Sequence, residues 1–457
     1  MGGIRMKKRE YKVFHIFLCL FLVVFIVLGP YYLINYRPNS VDYSKKNKAQ
    51  EPGWQGIITL WDYPRLDKKT GTNFGWMYEK IRAFEKANPG VYIKFTPLSW
   101  EKGPIKINTA AKLGGLPDIV PIGNDYGLMN RGVLEELNPY LTGDEIQDFR
   151  ENALKAVTYQ NKIYGIPWMM TTYTMVLNLD LFNERGVEPP VDGQWTYEEF
   201  VSKMESLTFD SKGNNKIDRY GFNSFIEPGY YNTWGILLSD GAKVFNEKMQ
   251  YSFNDDKALS GLTKLIDLKL KYGITHPDFG TNNSNQSWTN FYKDQNIAVY
   301  PVGTWALNVL DNLQKEGTGL NYGIAGFPKG NLGKSITLNN TVGSYGMVNQ
   351  ESEEKKQVII SFLKFLIKEE YQKDLIRLGV FPARKSIGNI YTDDTNMTMI
   401  YEELQNANIV FNHPYWKEID EILQREIQQG ILGNKSPEQV LKDAEEKIHI
   451  LLNRIEN

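Results

Sequence analysis

The residues in this chain that could do chemistry are carboxylates, amides and aromatic rings; the usual catalytic sets are incomplete. The four histidines, His15, His276, His413 and His449, are scattered, and no H-x-x-x-H pair or Cys/His cluster joins them. A transition-metal site needs several such ligands converging, so none is expected. "GKS" at 333–335 suggests a phosphate loop, but Pro328 stands where the first glycine of that loop belongs. No G-x-S-x-G elbow is present. "DSKGNNKID" (210–218) offers Asp210, Asn214 and Asp218 as oxygen donors. A calcium loop also needs a bidentate Glu at its twelfth position, where this chain has Gly221, and Lys212 fills a ligand place. That stretch reads as a solvated turn, and Tyr230-Tyr231 beside Pro228-Gly229 reads as turn packing rather than a ferric site. Neither metal nor cofactor is expected.

What does accumulate is aromatic side chains at strand ends and bends: Trp61, Trp168, Tyr173, Tyr230, Trp234, Trp305 and Trp416. Asp62, Asn124, Asp125 and Glu227 stand beside several of them or at neighbouring strand ends. Sugars present apolar C–H faces and a rim of hydroxyls. A sugar site therefore needs flat rings for the faces and Asp, Glu or Asn acceptors for the rim. Each tryptophan taken singly fits a core as well as a ligand surface. Trp305 differs, because Gly303-Thr304 delivers it at a bend just before a helical pattern begins. It reads as a surface on which something else lies.

The elements that would position these residues can be read from periodicity. "GIITLW" (56–61) is a short apolar run consistent with a buried strand. Phe74, Met77, Ile81 and Phe84 recur at helical spacing, and Asn88-Pro89-Gly90 stops that helix. "VYIKFTPL" alternates as a strand, and after a short helix "LPDIVPI" (116–122) gives a third. Strand–helix–strand–helix–strand predicts right-handed crossovers and a parallel sheet, with ligands beyond the carboxyl ends of the strands. Trp61-Asp62-Tyr63 and Asn124-Asp125-Tyr126 fall at those ends. Further on, Asn161-Lys162 reads as a turn between two strands. A helix over 255–273 should bury Leu259, Leu262, Ile266 and Leu270 before Gly273 ends it. Residues 294–303 form a strand leading to Trp305, and 352–379 one long helix or a pair. Ser436, Pro437 and Gln439 open a last helix in a capping-box arrangement.

Length and charge set outer limits. At 457 residues the chain needs two or three domains. Residues 1–12 carry a net charge of +4 while the whole chain sums to −2, leaving −6 for the remainder. A mildly acidic body argues against nucleic acid, whose phosphates need a cationic surface. Val13–Leu28 is almost wholly apolar, and Tyr31–Ile34 extend it to about the 20 residues that a bilayer requires. The preceding basic residues place the N-terminus in the cytoplasm. An uncleaved anchor is the favoured reading; a cleaved signal peptide competes, although no small-residue cleavage site lies close downstream. The single cysteine, Cys19, excludes an internal disulfide.

These motifs together resemble a known family: the extracellular solute-binding proteins of ABC importers, in the sugar-binding group that includes maltose-binding proteins. The likeness covers roughly residues 56–455. It rests on "FEKANPGVYIKF", "LGGLPDIVPIGNDYGLMNRGVLEELNPYL", "NKIYGIPWMMTTYTMVLNLDLF", "IEPGYYNTWGILLSDGAKVF", "VYPVGTWAL", "VGSYGMVN" and "SPEQVLKDAEEKI", in that order. The resemblance implies that Asp125 takes sugar hydroxyls, with Tyr126 standing where those proteins carry arginine. It implies stacking by Trp305, Tyr230 and Trp416 and a sugar contact by Glu227. Thr171 replaces an acidic ligand. With Trp61, Asp62 and Asn124 these form the expected ligand site.

The resemblance also implies a two-lobed α/β fold of the periplasmic-binding-protein type II, hinged at three crossings near 166–171, 300–304 and 342–347. The expected divisions are a basic tip and transmembrane anchor over 1–36, with 13–35 in the plasma membrane, and a tether over 37–55. Lobe one would take 56–167 plus 304–343, and lobe two 168–303 plus 344–457. The implied function is capture of an oligosaccharide outside the cell by a monomer and its delivery to ABC permease subunits. A membrane-tethered sugar sensor shares the fold, and a glycosidase using Asp125 and Glu227 as its acid pair is the rival from another class.

Overall fold

The computed structural model describes residues 53–456 apart from 406, 408–410 and 412. The expected anchor (1–36) and all but the last residues of the tether (37–55) lie outside the described residues. Among the described residues, no helix is long and apolar enough to cross a membrane.

Eleven strands organise the described chain: β1 (Gly56–Asp62), β2 (Val91–Pro97), β3 (Ile119–Pro121), β4 (Thr158–Tyr159), β5 (Lys162–Ile163), β6 (Ile166–Asn178), β7 (Tyr220–Phe222), β8 (Ile297–Gly303), β9 (Tyr322–Ala325), β10 (Asn339–Met347) and β11 (Phe381–Pro382). β4 and β5 form a small hairpin, and its turn is Gln160-Asn161, one residue earlier than the sequence suggested, because these two take positive φ. The others form one sheet in the order β2-β1-β3-β10-β6-β8-β7, with β9 and β11 also on β6.

β1 pairs in parallel with both β2 and β3, the arrangement expected from the strand–helix alternation. Asp118 locks that alignment: its Oδ2 accepts from the Thr59 amide and hydroxyl at 2.8 and 2.9 Å, and its Oδ1 pairs with Lys355 at 2.6 Å. Burial alone would raise the Asp118 pKa; the bonds from Lys355 and Thr59 outweigh it and hold the carboxyl low. The helix Gly75–Ala87 covers this sheet with Trp76, Met77, Ile81 and Phe84, the periodic stripe visible in the sequence.

β6 is the axis of the molecule. All 13 of its residues are buried, as expected of a strand covered on both faces. Its first half pairs with β10 and β11, its second half with β8 and β9. β10 approaches so closely that a Cβ on Gly343 would meet the Met169 side chain at 2.6 Å and have to displace it.

Buried apolar side chains fall into two clusters. The first gathers 58–170, Phe225, Phe291, one face of β8 (Ile297, Tyr300, Val302), the helix after β8, and the run from Val342 to Leu404. The second holds most of 173–279, Phe327–Leu338, and the chain from Trp416 to Ile448. This corrects the expected allocation. Residues 344–404 pack with the first core, not the second, because β10 hydrogen-bonds β3 and the helix Glu353–Leu366 follows it onto that side. Residues 327–338, assigned to lobe one, belong to the second core. The two clusters alternate along β6, β8 and β9, and the chain passes between them again from Leu338 to Val342 and between Leu404 and Phe411.

The helix Asp256–Leu270 buries Leu262, Leu265, Ile266 and Leu268; Leu270, expected inside, is exposed at its end. The expected helix over 352–379 is a pair, Glu353–Leu366 and Glu369–Lys373, continued by a 3-10 turn up to Gly379. In the last helix, Pro437–Glu456, the Ser436 hydroxyl accepts from the Gln439 amide as expected, while the Gln439 side chain turns to Asp443 instead.

Candidate ligand site

Two groups of residues stand where strands end. The first lies beyond β1 and β3. Trp61 is half-buried, with the Lys106 ammonium 4.1 Å from its ring centre. Asp62 is buried, and both its oxygens are committed: Arg65 donates at 3.0 and 2.9 Å, and the Tyr345 hydroxyl at 2.7 Å. It is a structural anchor rather than the free acceptor expected. Arg65 in turn lies over Trp168, which is sandwiched between Trp76 at 5.0 Å and Tyr345 at 5.9 Å. Trp168 is therefore a core side chain.

Two neighbours complete this group: Tyr63, already expected at this strand end, and Trp100, which sequence reasoning missed. Tyr63 and Trp100 stack at 4.4 Å with an interplanar angle of 10°, and Trp100 remains 48% exposed. Gly103 permits the approach, since a Cβ there would strike the Tyr63 ring at 2.5 Å. Burial pushes the Tyr63 phenol pKa up, and the nearby charges of Asp125 and Asp62 add to it.

Asn124 is half-buried, and its carbonyl accepts from the Tyr126 amide. Asp125 caps the short helical turn that follows, accepting from the Leu128 amide at 2.9 Å. Its other oxygen meets Lys417 at 2.5 Å. That contact joins a loop of the first core to a helix of the second. Beside it a Cβ on Gly127 would come within 2.9 Å of the Pro414 carbonyl, so the two segments touch. Tyr126, where an arginine would stand by resemblance, is buried with its hydroxyl on the Lys155 carbonyl.

The second group surrounds Trp305. Its ring is 43% exposed and fixed edge-on against Trp288 at 5.7 Å. Trp288, on the helix Ser284–Tyr292, also lies against Phe291, Tyr292 and Tyr300. Tyr230 is 38% exposed and edge-on to Phe225 at 5.0 Å. Glu227 is half-buried and accepts from the Ser284 amide at the start of the Trp288 helix, at 3.4 Å. Burial raises the Tyr300 phenol pKa against a hydrogen bond from Ser287 that lowers it, and Tyr173, Glu227 and Tyr230 add to the rise. Rigid, half-exposed rings beside a carboxylate are what a hydroxylated ring needs.

The loop carrying Glu227 and Tyr230 is held from behind. Asp420 accepts from the Gly229 amide at 2.5 Å, Gln424 donates to the Tyr230 carbonyl at 2.9 Å, and the Tyr173 hydroxyl accepts from the Tyr231 amide at 3.0 Å. Trp416 belongs to this support, which corrects its expected stacking role. It is buried among Tyr231, Trp234 and Phe411, and its indole N–H donates to the Tyr231 hydroxyl at 2.7 Å. Trp234 and Tyr173 are likewise buried. Thr171 is buried within β6, its hydroxyl on the Thr341 carbonyl at 3.4 Å. The 210–218 loop is tied to itself by Asp210 and Asp218, which accept from the Lys212, Asn215 and Ser211 amides.

Comparison with known proteins bears on what this arrangement is for. A family model described as bacterial extracellular solute-binding protein matches residues 68–373. A binding protein of Brucella abortus (strain 2308) is 25% identical over 398 residues, covering 84% of this chain and 91% of its own. The galactooligosaccharide-binding protein of Bacillus subtilis (strain 168) is 22% identical over 397 residues, 80% of this chain and 84% of its own. Among solved structures, an ABC substrate-binding protein from Listeria monocytogenes in complex with cycloalternan superposes with a TM-score of 0.72. It is 22% identical, covering 88% of this chain and all of that one. The mixed α/β, two-lobed fold is common to both.

Proposed function

The chain belongs to the bacterial extracellular solute-binding proteins, and we propose that its solute is an oligosaccharide, gripped by aromatic rings and handed to an ABC import permease. Members of this family bind their cargo without converting it. The observation that carries the sugar reading is the Trp305 group: two half-exposed rings, each braced by other aromatics, beside Glu227. The similar proteins named above, which take cycloalternan and galactooligosaccharide, support the same class of guest.

β6, β8 and β10 run between the two cores, so a guest touching residues of both would favour the closed arrangement over the open one. A permease can read that difference, because a ligand shifts a conformational equilibrium by its unequal affinity for the two forms. We place the body outside the cytoplasm, tethered through the apolar stretch within residues 1–36; fractionation of cells into membrane and medium tests that attachment.

The test of the sugar reading is ligand-dependent melting of the protein against a glycan panel. A true guest at a hundred times its dissociation constant adds about 2.7 kcal/mol of stability. Trp305→Ala should abolish the gain without altering the ligand-free melt. If no glycan raises the melting temperature, the sugar reading fails.

A further inference from the structure

The three strands that run between the cores converge at one residue, Thr172. Asn339, the first residue of β10, pairs opposite it, and the Thr304 amide, just past β8, donates to its carbonyl at 3.1 Å. The Thr172 hydroxyl is fully engaged, with the Leu338 carbonyl at 2.9 Å and the Thr337 hydroxyl at 3.0 Å; Thr337 in turn donates to the Tyr173 carbonyl at 2.7 Å. This junction is well bonded, and against it two side chains stand out.

Asn339 is 3% exposed and Thr304 is 0% exposed. Both amide atoms of Asn339 and the Thr304 hydroxyl are buried with no hydrogen-bond partner among the described residues. Thr304 occupies the N-cap position of the helix Trp305–Lys315, where a threonine hydroxyl ordinarily accepts from the first turn. Here its backbone is already helical, at φ −58° and ψ −18°, and it makes no cap bond. Buried polar groups in folded proteins are almost always paired, so three orphaned atoms around one residue call for a partner. The two side chains flank Thr172, one on the β10 side and one on the β8 side. An amide that offers a donor and an acceptor, and a hydroxyl that offers both, each match a sugar hydroxyl. The residue after Thr304 is Trp305, whose half-exposed ring is the proposed stacking surface.

We infer that Asn339 and Thr304, on either side of Thr172, each read a hydroxyl of the guest at the inner end of the site: one hydroxyl of the guest stacked on Trp305 is held by the Asn339 amide, accepting from Nδ2 or donating to Oδ1, and another by Thr304 Oγ1. The inference rests on the oligosaccharide reading and deepens it, since a guest lacking those hydroxyls leaves the pair buried and unsatisfied. Such a site discriminates by polar contact, where stacking on a ring alone is tolerant. Because β6, β8 and β10 all pass through this junction, a guest bonded here also links occupancy to the strands that must flex.

The experiment compares the full chain with Thr304→Val and Asn339→Leu, near-isosteric changes that delete the polar atoms. Tryptophan-fluorescence titrations use maltotriose, cycloalternan and a galactooligosaccharide mixture as probes, with Trp305→Ala alongside and a ligand-free melt of each protein. The expected result is at least tenfold weaker binding by both variants, with ligand-free melting temperatures equal to or above that of the parent. If the parent and both variants bind a probe equally while Trp305→Ala does not, the pair is overturned and the sugar reading stands. If the variants melt lower without ligand, the atoms serve an internal water and the inference is overturned. If the parent binds no probe, the sugar reading fails and takes the inference with it.

Discussion

Asp420 sits behind the Tyr230 loop in a place where a carboxylate is costly. It is 2% exposed on the helix Trp416–Ile431, and none of the described residues gives it an ion pair. Its partners are the Gly229 amide at 2.5 Å, Gln424 at 3.1 Å and the Tyr231 hydroxyl at 3.5 Å. Burial raises its pKa from 3.8 to about 7; those hydrogen bonds pull the other way, and the charge of Glu421 adds to the rise. The folded protein therefore holds this proton more tightly than the unfolded chain does. Between about pH 4 and pH 7 the folded state binds more protons, so its stability falls as pH rises through that window. By pH 8 the full cost is present. At about 1.4 kcal/mol for each pH unit, it comes to roughly 4 kcal/mol.

Asp420→Asn tests this directly. The amide oxygen can still accept from Gly229, and the side chain never ionises. Some of the gain is offset, because hydrogen bonds to a charged acceptor are stronger than those to a neutral one. We expect the variant to be more stable than the parent by about 1–3 kcal/mol at pH 8, with the difference shrinking to near zero at pH 4.5. Urea unfolding of both proteins across that range measures it. Glu403, also buried and with its pKa raised to about 7 by burial, titrates in both proteins and cancels from the difference. A variant that is no more stable at pH 8, or a gap that does not close in acid, would refute the reasoning.

Further expectations separate framework from site. Trp168→Ala removes a ring stacked between Trp76 and Tyr345 beneath Arg65, and should cost about 3–5 kcal/mol in urea unfolding. Trp305→Ala, at a half-exposed ring, should cost under about 1 kcal/mol in the same assay. A large loss there would make Trp305 a core residue. Lys417→Ala breaks the pair with Asp125 that joins the two cores. Since the lysine is exposed, unfolding free energy should change by no more than about 1 kcal/mol, and a greater loss in a melt would show the contact to be structural.

Which features could be read from the chain depends on the range of the interactions that fix them. The helix Gly75–Ala87 was legible because burial of Met77, Ile81 and Phe84 repeats within its own few turns. The parallel β1–β2–β3 unit was legible because alternating helices leave the strands no other short connection. The exposure of Trp305 was legible in Gly303-Thr304, a local bend. The partition into cores was not local. Whether Tyr345 and Met347 join the first or the second core is decided by β10 pairing with β3, some two hundred residues earlier in the chain. Trp416 failed as a ligand residue for the same reason: its burial is made by Tyr231 and Trp234, brought in by a distant segment. Asp62 looked like a free acceptor until Tyr345 arrived from across the sheet. Thr304 and Asn339 are the extreme case. As letters they are a threonine near a bend and an asparagine among others, and what distinguishes them is that their side-chain polar atoms find no partner among the described residues once three strands have met. Rings can be noticed in a sequence by where the chain bends. A polar atom waiting for its partner shows itself only after folding has closed every other possibility around it.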